Sequence, residues 1–225
     1  MTFHSETFPD SDWPAAVAAR LSALAPARRL CLATGDTLAP AYALVDHLDR
    51  ATVFLLDEFG GLPPNDPGRC QSMIRRQLLD HVTVGDLRLP DVDAADAAAE
   101  ARRYGEDIAS GGIDLAVVGL GRNGHIGMNE PGSTVDLPTR VVELAPTTAE
   151  HAAAYGASST PSWGITVGLA ELMAAREVWL LVTGEHKREI LERVLHDPIG
   201  PDLPATFLRN HSDCTVFADR AAAGG

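Results

Sequence analysis

The chain has 225 residues, of which 45% are hydrophobic and 22% are charged, a composition typical of soluble globular proteins. This length favours a single domain spanning residues 1–225. The formal net charge of -13 disfavours nucleic acid and anionic membranes as partners, because both bind through a basic surface. A small-molecule partner is the remaining expectation.

The N-terminal residues and the cysteines indicate a cytoplasmic location. Residues 1–9 include acidic side chains and no apolar run, so we expect no signal peptide. No segment approaches the roughly 20 apolar residues of a membrane helix. Cys31, Cys70 and Cys214 lie far apart, without the spacing of a zinc site or a disulfide framework. We therefore predict free thiols, no bound metal and no membrane partner.

Predicted strands and helices alternate along the chain. In chain order they are a helix at 13–24, a strand at 29–33, a helix at 39–48, a strand at 52–56, helices at 70–79 and 94–108, strands at 113–118 and 178–182, a helix at 187–195 and a strand at 215–218. This alternation predicts an α/β fold, with a mostly parallel, doubly wound (modified Rossmann-like) sheet and helices on both faces. Ligands of such sheets bind at the carboxyl ends of the strands.

A glycine-rich loop follows the predicted strand at 113–118. Gly119, Gly121 and Gly124 satisfy the GxGxxG pattern of dinucleotide-binding folds. In those folds the third glycine opens a long helix, whereas Pro131 here limits any helix to about two turns. The sequence therefore disfavours a nicotinamide or flavin, and we expect no cofactor.

The same loop carries Asn123, His125 and Glu130. A histidine with a carboxylate five residues later is a workable acid/base pair. A regular helix would hold the two side chains apart, so the backbone has to turn, as Gly127 and Pro131 allow. The alternative is a surface loop with a solvated histidine. No second histidine or cysteine is placed to complete a metal site.

These residues resemble a known family. The segment at 119–132, Gly-Leu-Gly-Arg-Asn-Gly-His-Ile-Gly-Met-Asn-Glu-Pro-Gly, resembles the signature loop of the glucosamine-6-phosphate deaminases, which share a superfamily with the 6-phosphogluconolactonases. Four further segments resemble other motifs of that family in the same order, at 32–37, 56–67, 166–169 and 182–187. Segments 67–70 and 203–212 are most similar to the galactosamine-6-phosphate deaminase/isomerase branch.

The resemblance implies a reaction and its catalytic residues. Glucosamine- or galactosamine-6-phosphate is opened, isomerised from aldose to ketose and deaminated to the ketohexose 6-phosphate and ammonia. By resemblance, His125 shuttles the proton of ring opening with Glu130 as its partner, and Asp57 moves the proton between adjacent carbons. Asn123 stands where many members have aspartate, and we expect it to orient His125.

The resemblance also implies the substrate-binding residues. They comprise a phosphate loop, a carboxylate beside the base, three loop glycines and a phosphate lysine, namely Thr34, Gly35, Asp36, Thr37, Glu58, Gly119, Gly121, Gly124 and Lys187. Lys187 is the only lysine among 18 basic residues. We expect the loop to cradle phosphate with backbone N–H groups and a helix N-terminus.

Two departures from the family pattern concern the phosphate. Asp36 replaces a small neutral residue, and two unit charges about 4 Å apart repel by roughly 4 kcal/mol near a protein surface. Either Asp36 points away or the ligand differs. In addition, 152–154 are alanines where glucosamine-type members have an arginine for phosphate.

Three other functions are considered. A 6-phosphogluconolactonase is the nearest rival, but that family usually has aspartate at position 123 and lacks the Asn-Glu-Pro-Gly continuation at 129–132. A sugar-phosphate binding module is disfavoured because no DNA-binding segment accompanies it. Asp36 motivates the third, an enzyme for a non-phosphorylated or modified amino sugar. We expect a monomer or a small homo-oligomer.

Overall fold

The computed structural model describes residues 2–24 and 28–225. Its strands are β1 (Thr2–Phe8), β2 (Arg29–Leu32), β3 (Leu48–Leu55), β4 (Asp57–Phe59), β5 (Val84–Arg88), β6 (Leu115–Gly119), β7 (Arg140–Glu143), β8 (Trp163–Thr166), β9 (Glu177–Val182) and β10 (Asp213–Asp219). Its α-helices are α1 (Trp13–Ser22), α2 (Ala39–Tyr42), α3 (Cys70–Ile74), α4 (Ala97–Ala109), α5 (Pro146–Ala154), α6 (Leu169–Met173), α7 (Arg188–His196) and α8 (Arg220–Ala223). A π-helical turn (Arg75–Leu79) continues α3.

A parallel sheet forms the centre of the molecule. Within the described ranges it has seven strands in the order β1-β10-β9-β6-β2-β3-β5, and every neighbouring pair is parallel. The chain runs from β2 outward to β5, returns to β6 and then runs the opposite way to β10. Because such crossovers are right-handed, α1 and α2 cover one face and α4, α6 and α7 the other. The predicted doubly wound, mostly parallel fold is confirmed.

The inner strands form because they are almost continuously apolar. Residues 115–118 are 0% exposed, and residues 178–182 are at most 3% exposed. A parallel sheet that is covered on both faces requires such apolar runs. The predicted helix at 39–48 is wrong at its end: α2 stops at Tyr42, and Leu48 instead pairs with Val84 between β3 and β5.

A small second sheet lies at the carboxyl end of the large one. It is antiparallel, in the order β4-β8-β7, and pairs Asp57 with Thr166. The backbone N–H of Val167 also donates to the carbonyl of Leu56 at 2.8 Å. This sheet therefore fixes Asp57 directly beyond the end of β3. Among the described residues, none of the helices has the length and apolar character needed to cross a bilayer.

Candidate active site

A cleft opens where the strand order reverses, between β2 and β6. Its walls come from the loops that follow four adjacent strands, β9, β6, β2 and β3. The cleft measures about 770 Å³ when the open solvent at its mouth is included. The lining includes most of the predicted site residues, namely Thr34, Gly35, Asp36, Thr37, Asp57, Gly119, Gly121, His125 and Lys187.

His125 and Glu130 meet in the loop after β6. The Nδ1 atom of His125 lies 3.4 Å from Oε2 of Glu130, and both side chains are largely buried. The amide of Asn123 donates to the same Oε2 at 2.8 Å, and the hydroxyl of Thr148 donates to the other carboxylate oxygen. Glu130 thus has three neighbours, and one of them is the imidazole of His125, which lines the cleft.

The loop backbone turns as the predicted pair requires. Gly124 and Gly127 have positive φ angles of 82° and 59°, a region that other residues rarely adopt. The Asn129 amide donates to the carbonyls of Ile126 at 3.0 Å and Val167 at 2.9 Å, which ties the loop to β8. Gly121 lies under the imidazole, where any Cβ would overlap the ring of His125.

The carboxylate of Glu130 is strongly acidic. Burial acts to raise its pKa, but hydrogen bonding to His125, the charge of that imidazolium, and hydrogen bonds from Thr148 and Asn123 lower it to about 2. The ionised carboxylate of Glu130 therefore faces the Nδ1 side of the imidazole. An imidazole oriented in this way is a suitable group for giving and taking a proton.

Asp57 has the opposite environment. Burial raises its pKa to about 6, although a hydrogen bond from the Cys70 thiol and the charge of His125 partly offset the rise. A carboxylate with a pKa near neutrality is a suitable general base, because it is ionised at pH 7 and still binds a proton readily. Asp57 and His125 line the same cleft from neighbouring loops.

The loop after β2 lines the cleft with polar residues, but no full-length helix follows it. Gly35 has a φ of 122°, and Asp36 lines the cleft but is exposed, so solvent screens the charge of its carboxylate. The helix that follows, α2, has only four residues. The expectation that a helix dipole binds the phosphate is therefore corrected, since four peptide units provide little of the aligned dipole of a full helix.

Lys187 provides the positive charge at this end of the cleft. Its Nζ atom donates to the Leu120 carbonyl at 2.6 Å, which holds the ammonium group beside the loop after β6. Burial, and then the positive charge of nearby Arg122, lower the pKa of Lys187 to about 8. A partly desolvated ammonium attracts an anion more strongly than a surface lysine does.

Four predicted residues do not line the cleft. Glu58 is 1% exposed, and its carboxylate accepts the backbone N–H groups of Phe59, Cys70 and Gln71, each at 2.8 Å. It caps α3, so the expected substrate contact is corrected. Gly124 packs against Leu203, where a Cβ would overlap that side chain.

The other two residues outside the lining, Asn123 and Glu130, contact His125 instead. The Oδ1 of Asn123 accepts the backbone N–H of His125 at 3.2 Å, and its amide holds Glu130. Both side chains therefore lie where the roles expected of them, orienting and partnering His125, require. The sequence reasoning missed Thr148, Tyr155 and the cleft-facing role of Cys70, which all line the cleft but lie outside the predicted site set.

No metal centre is formed within residues 2–24 and 28–225, where no three or more histidine, cysteine, aspartate or glutamate side chains are grouped for one. All three cysteines are free and buried.

Comparison with known proteins identifies the family of the chain. A family model described as glucosamine-6-phosphate isomerases/6-phosphogluconolactonase matches residues 12–217. The chain is 38% identical over 206 residues to the glucosamine-6-phosphate deaminase of Geobacillus sp. strain WCH70, covering 86% of this chain and 82% of that protein. It is 40% identical over 211 residues to the enzyme of the same name from Rhodopirellula baltica, covering 88% and 84%.

Solved structures extend the comparison to the fold. A monomeric glucosamine-6-phosphate deaminase superposes with a TM-score of 0.91 at 30% identity, covering 100% of this chain and 99% of that one. A 6-phosphogluconolactonase from Trypanosoma brucei gives 0.76 at 22% identity, covering 99% and 98%, and so shares the fold. From the family match and these relatives, the chain belongs to the glucosamine-6-phosphate isomerase/6-phosphogluconolactonase family.

Proposed function

We propose that the protein is a hexosamine-6-phosphate deaminase/isomerase that converts glucosamine 6-phosphate and water to fructose 6-phosphate and ammonia without a cofactor. The observation that carries the proposal is the shared cleft of His125, Asp57 and Lys187, which offers an acid/base imidazole, a carboxylate base and a cation. The name of the relatives at 38% and 40% identity supports the choice of substrate.

Ring opening is the task of His125. The pyranose opens when the anomeric hydroxyl loses a proton and the ring oxygen gains one, so one group that both takes and gives a proton suffices. An imidazole can do both, and the carboxylate of Glu130 lies 3.4 Å from the Nδ1 of His125, where it orients the ring. The product is the open-chain amino aldehyde.

Asp57 carries out the isomerisation. Its carboxylate takes the proton from C2 of the aldehyde while a proton moves from the substrate ammonium group to the C1 oxygen, which gives an enolamine. The carboxylate then returns its proton to C1, which leaves a protonated imine at C2. Water adds to that imine carbon and the C2–N bond breaks, so the nitrogen leaves as ammonia and the ketone remains. The raised pKa of Asp57, about 6, suits a group that takes and returns one proton.

A replacement of the base tests the proposal. We expect the wild-type protein to release ammonia and fructose 6-phosphate in equal amounts from glucosamine 6-phosphate, and Asp57→Asn to lower kcat by about 10²- to 10⁴-fold because an amide cannot accept the proton. Ammonia and ketose are measured together in a coupled assay. Asp202→Asn, which neutralises an exposed carboxylate, is the matched control.

Other outcomes of this assay decide between alternatives. Galactosamine 6-phosphate and the unphosphorylated amino sugars are assayed in parallel, and faster turnover of one of these reassigns the substrate. Acid release from 6-phosphogluconolactone, with no ammonia from any amino sugar, contradicts the proposal. Unchanged kcat in Asp57→Asn contradicts the assigned base.

We also propose that residues 1–225 act as one cytoplasmic domain, as a monomer or small homo-oligomer. The exposed large apolar side chains among the described residues are Leu44, Val135 and Val141. Three such side chains are few, as expected for a surface without a large apolar interface. Light scattering of the purified protein measures the oligomeric state.

A further inference from the structure

Tyr155 lines the same cleft as Lys187 and packs against the loop after β2. It follows α5 directly, and its side chain lines the cleft. Its hydroxyl oxygen lies 3.1 Å from the position that a Cβ on Gly35 would occupy, so the phenol rests directly on the backbone of this loop. Gly35 is buried and its φ of 122° excludes most other residues.

The hydroxyl has one hydrogen-bonding function engaged and one free. The backbone N–H of Asp36 approaches the Tyr155 oxygen as a donor. Within the described part of the chain, the O–H of Tyr155 donates to no protein acceptor, unlike the hydroxyls of Tyr42 and Tyr104, which donate to Ala33 and Leu55. A phenol in this state presents its proton to the cleft.

The hydroxyl also remains a donor at working pH. Burial, and then the negative charge of Asp36, raise the pKa of Tyr155 above its ordinary value. The phenol is therefore neutral and protonated near pH 7. A neutral donor is suited to this place, because the exposed carboxylate of Asp36 already puts negative charge on the loop.

We propose that Tyr155 is a substrate-binding residue, and that its hydroxyl donates a hydrogen bond to the phosphate group of the sugar substrate held between the loop at 34–37 and Lys187. This inference rests on the proposed function, since it names a contact of the same substrate. It assigns the anion two different donors, the ammonium of Lys187 on one side and a phenol on the other. The phenol compensates for the weak dipole of α2.

Removal of the single oxygen atom tests the contact. We expect Tyr155→Phe to raise KM for glucosamine 6-phosphate about tenfold and to change kcat by less than about twofold, because the lost bond binds ground state and transition state alike. The inhibition constant of inorganic phosphate rises by a similar factor. Tyr104→Phe, which removes a buried hydroxyl from the core, is the matched control and leaves KM unchanged.

Direct binding separates this inference from the proposed function. If the wild-type protein does not convert glucosamine 6-phosphate, the proposed function fails, and calorimetry with inorganic phosphate still tests Tyr155. Weaker phosphate binding by Tyr155→Phe than by wild type supports the contact. Equal binding by the two proteins, no phosphate binding by the wild type, or a loss confined to kcat each overturns it.

Discussion

Asp57 is a residue at which function and stability oppose each other. Its carboxylate is ionised at neutral pH, although its surroundings raise its pKa from 3.8 to about 6. The folded protein therefore binds more protons than the unfolded chain between about pH 4 and 6, and stability falls as pH rises through that window. Glu130 has the reverse sign: its pKa, lowered to about 2, contributes stability above its unfolded pKa that is lost only in strong acid.

A neutral residue at position 57 should remove this loss of stability at neutral pH. We expect Asp57→Asn to gain stability relative to wild type as pH rises, with the difference in free energy of unfolding growing by about 1 kcal/mol between pH 5.0 and 7.5, because about one pK unit of the shift lies in that interval. Urea denaturation at the two pH values measures it.

The control for this prediction is Asp202→Asn, which replaces an exposed carboxylate outside the cleft. A gap between Asp57→Asn and wild type that is the same at both pH values contradicts the raised pKa. The combination of a more stable variant and a lost activity is the pattern expected of a residue retained for catalysis.

The loop after β6 is the element on which the imidazole depends. Its backbone folds beneath the His125 ring, with the Gly121 N–H donating to the His125 carbonyl at 3.0 Å. Gly121 has ordinary backbone angles, so alanine is allowed there by conformation and excluded only by the ring above it. A substitution of Gly121 therefore tests the steric effect on the imidazole without straining the backbone.

We expect Gly121→Ala to displace the imidazole and lower kcat for ring opening at least tenfold, with a loss of stability below about 3 kcal/mol, since the ring can move toward the open cleft. Gly200→Ala is the matched control, because its added methyl meets no atom within 4 Å. Steady-state kinetics and thermal denaturation of both variants measure the two effects. Full activity in Gly121→Ala contradicts this account of the loop.

The elements were predictable from sequence to different extents. The inner strands β2, β6, β9 and β10 were found because both of their faces are buried, which leaves a continuous apolar run. The outer strands β1 and β5 were missed, because an edge strand has one neighbour and carries charged side chains such as Glu6 and Asp86. The small sheet was missed because its strands are short, three or four residues each.

The sequence motifs predicted most residues that line the cleft, but not the side to which each side chain points. Asp57 and Glu58 are adjacent in β4, and adjacent strand residues point to opposite sides, so one faces the cleft and the other caps α3. No spacing rule distinguishes which one does so without the register of β4 on β8. Tyr155 belongs to no motif, and only the folded path of the chain after α5 places it on Gly35.

The molecule as a whole is negatively charged, whereas one end of the cleft carries two positive side chains. The protein carries a net charge of -13, yet Lys187 and Arg122 lie together beside the loop after β6. Their mutual repulsion is tolerated because an anion is expected between the strand-end loops. The same repulsion and the burial of Lys187 bring its pKa down to about 8, into the range in which an enzyme works.

The proposed roles of Asp57 and Lys187 therefore predict that activity falls at both low and high pH. Asp57 has to be ionised to accept a proton, so kcat falls as pH drops below about 6. Lys187 has to be charged to bind phosphate, so KM rises as pH increases above about 8. The ratio kcat/KM should form a bell between these values, and the two limbs belong to different residues at opposite ends of the cleft.

Replacement of Lys187 by arginine should remove only the alkaline limb. A guanidinium stays charged throughout, so Lys187→Arg should show a KM that is higher than wild type at pH 7 but nearly constant to pH 9, whereas the wild-type KM rises about tenfold over this interval. The ratio of the two KM values cancels the ionisation of the substrate, which both proteins share. The acid limb of kcat serves as an internal control, because Asp57 is unchanged. A KM ratio that is the same at pH 7 and pH 9 contradicts Lys187 as the phosphate cation, since deprotonation would then cost the wild type nothing.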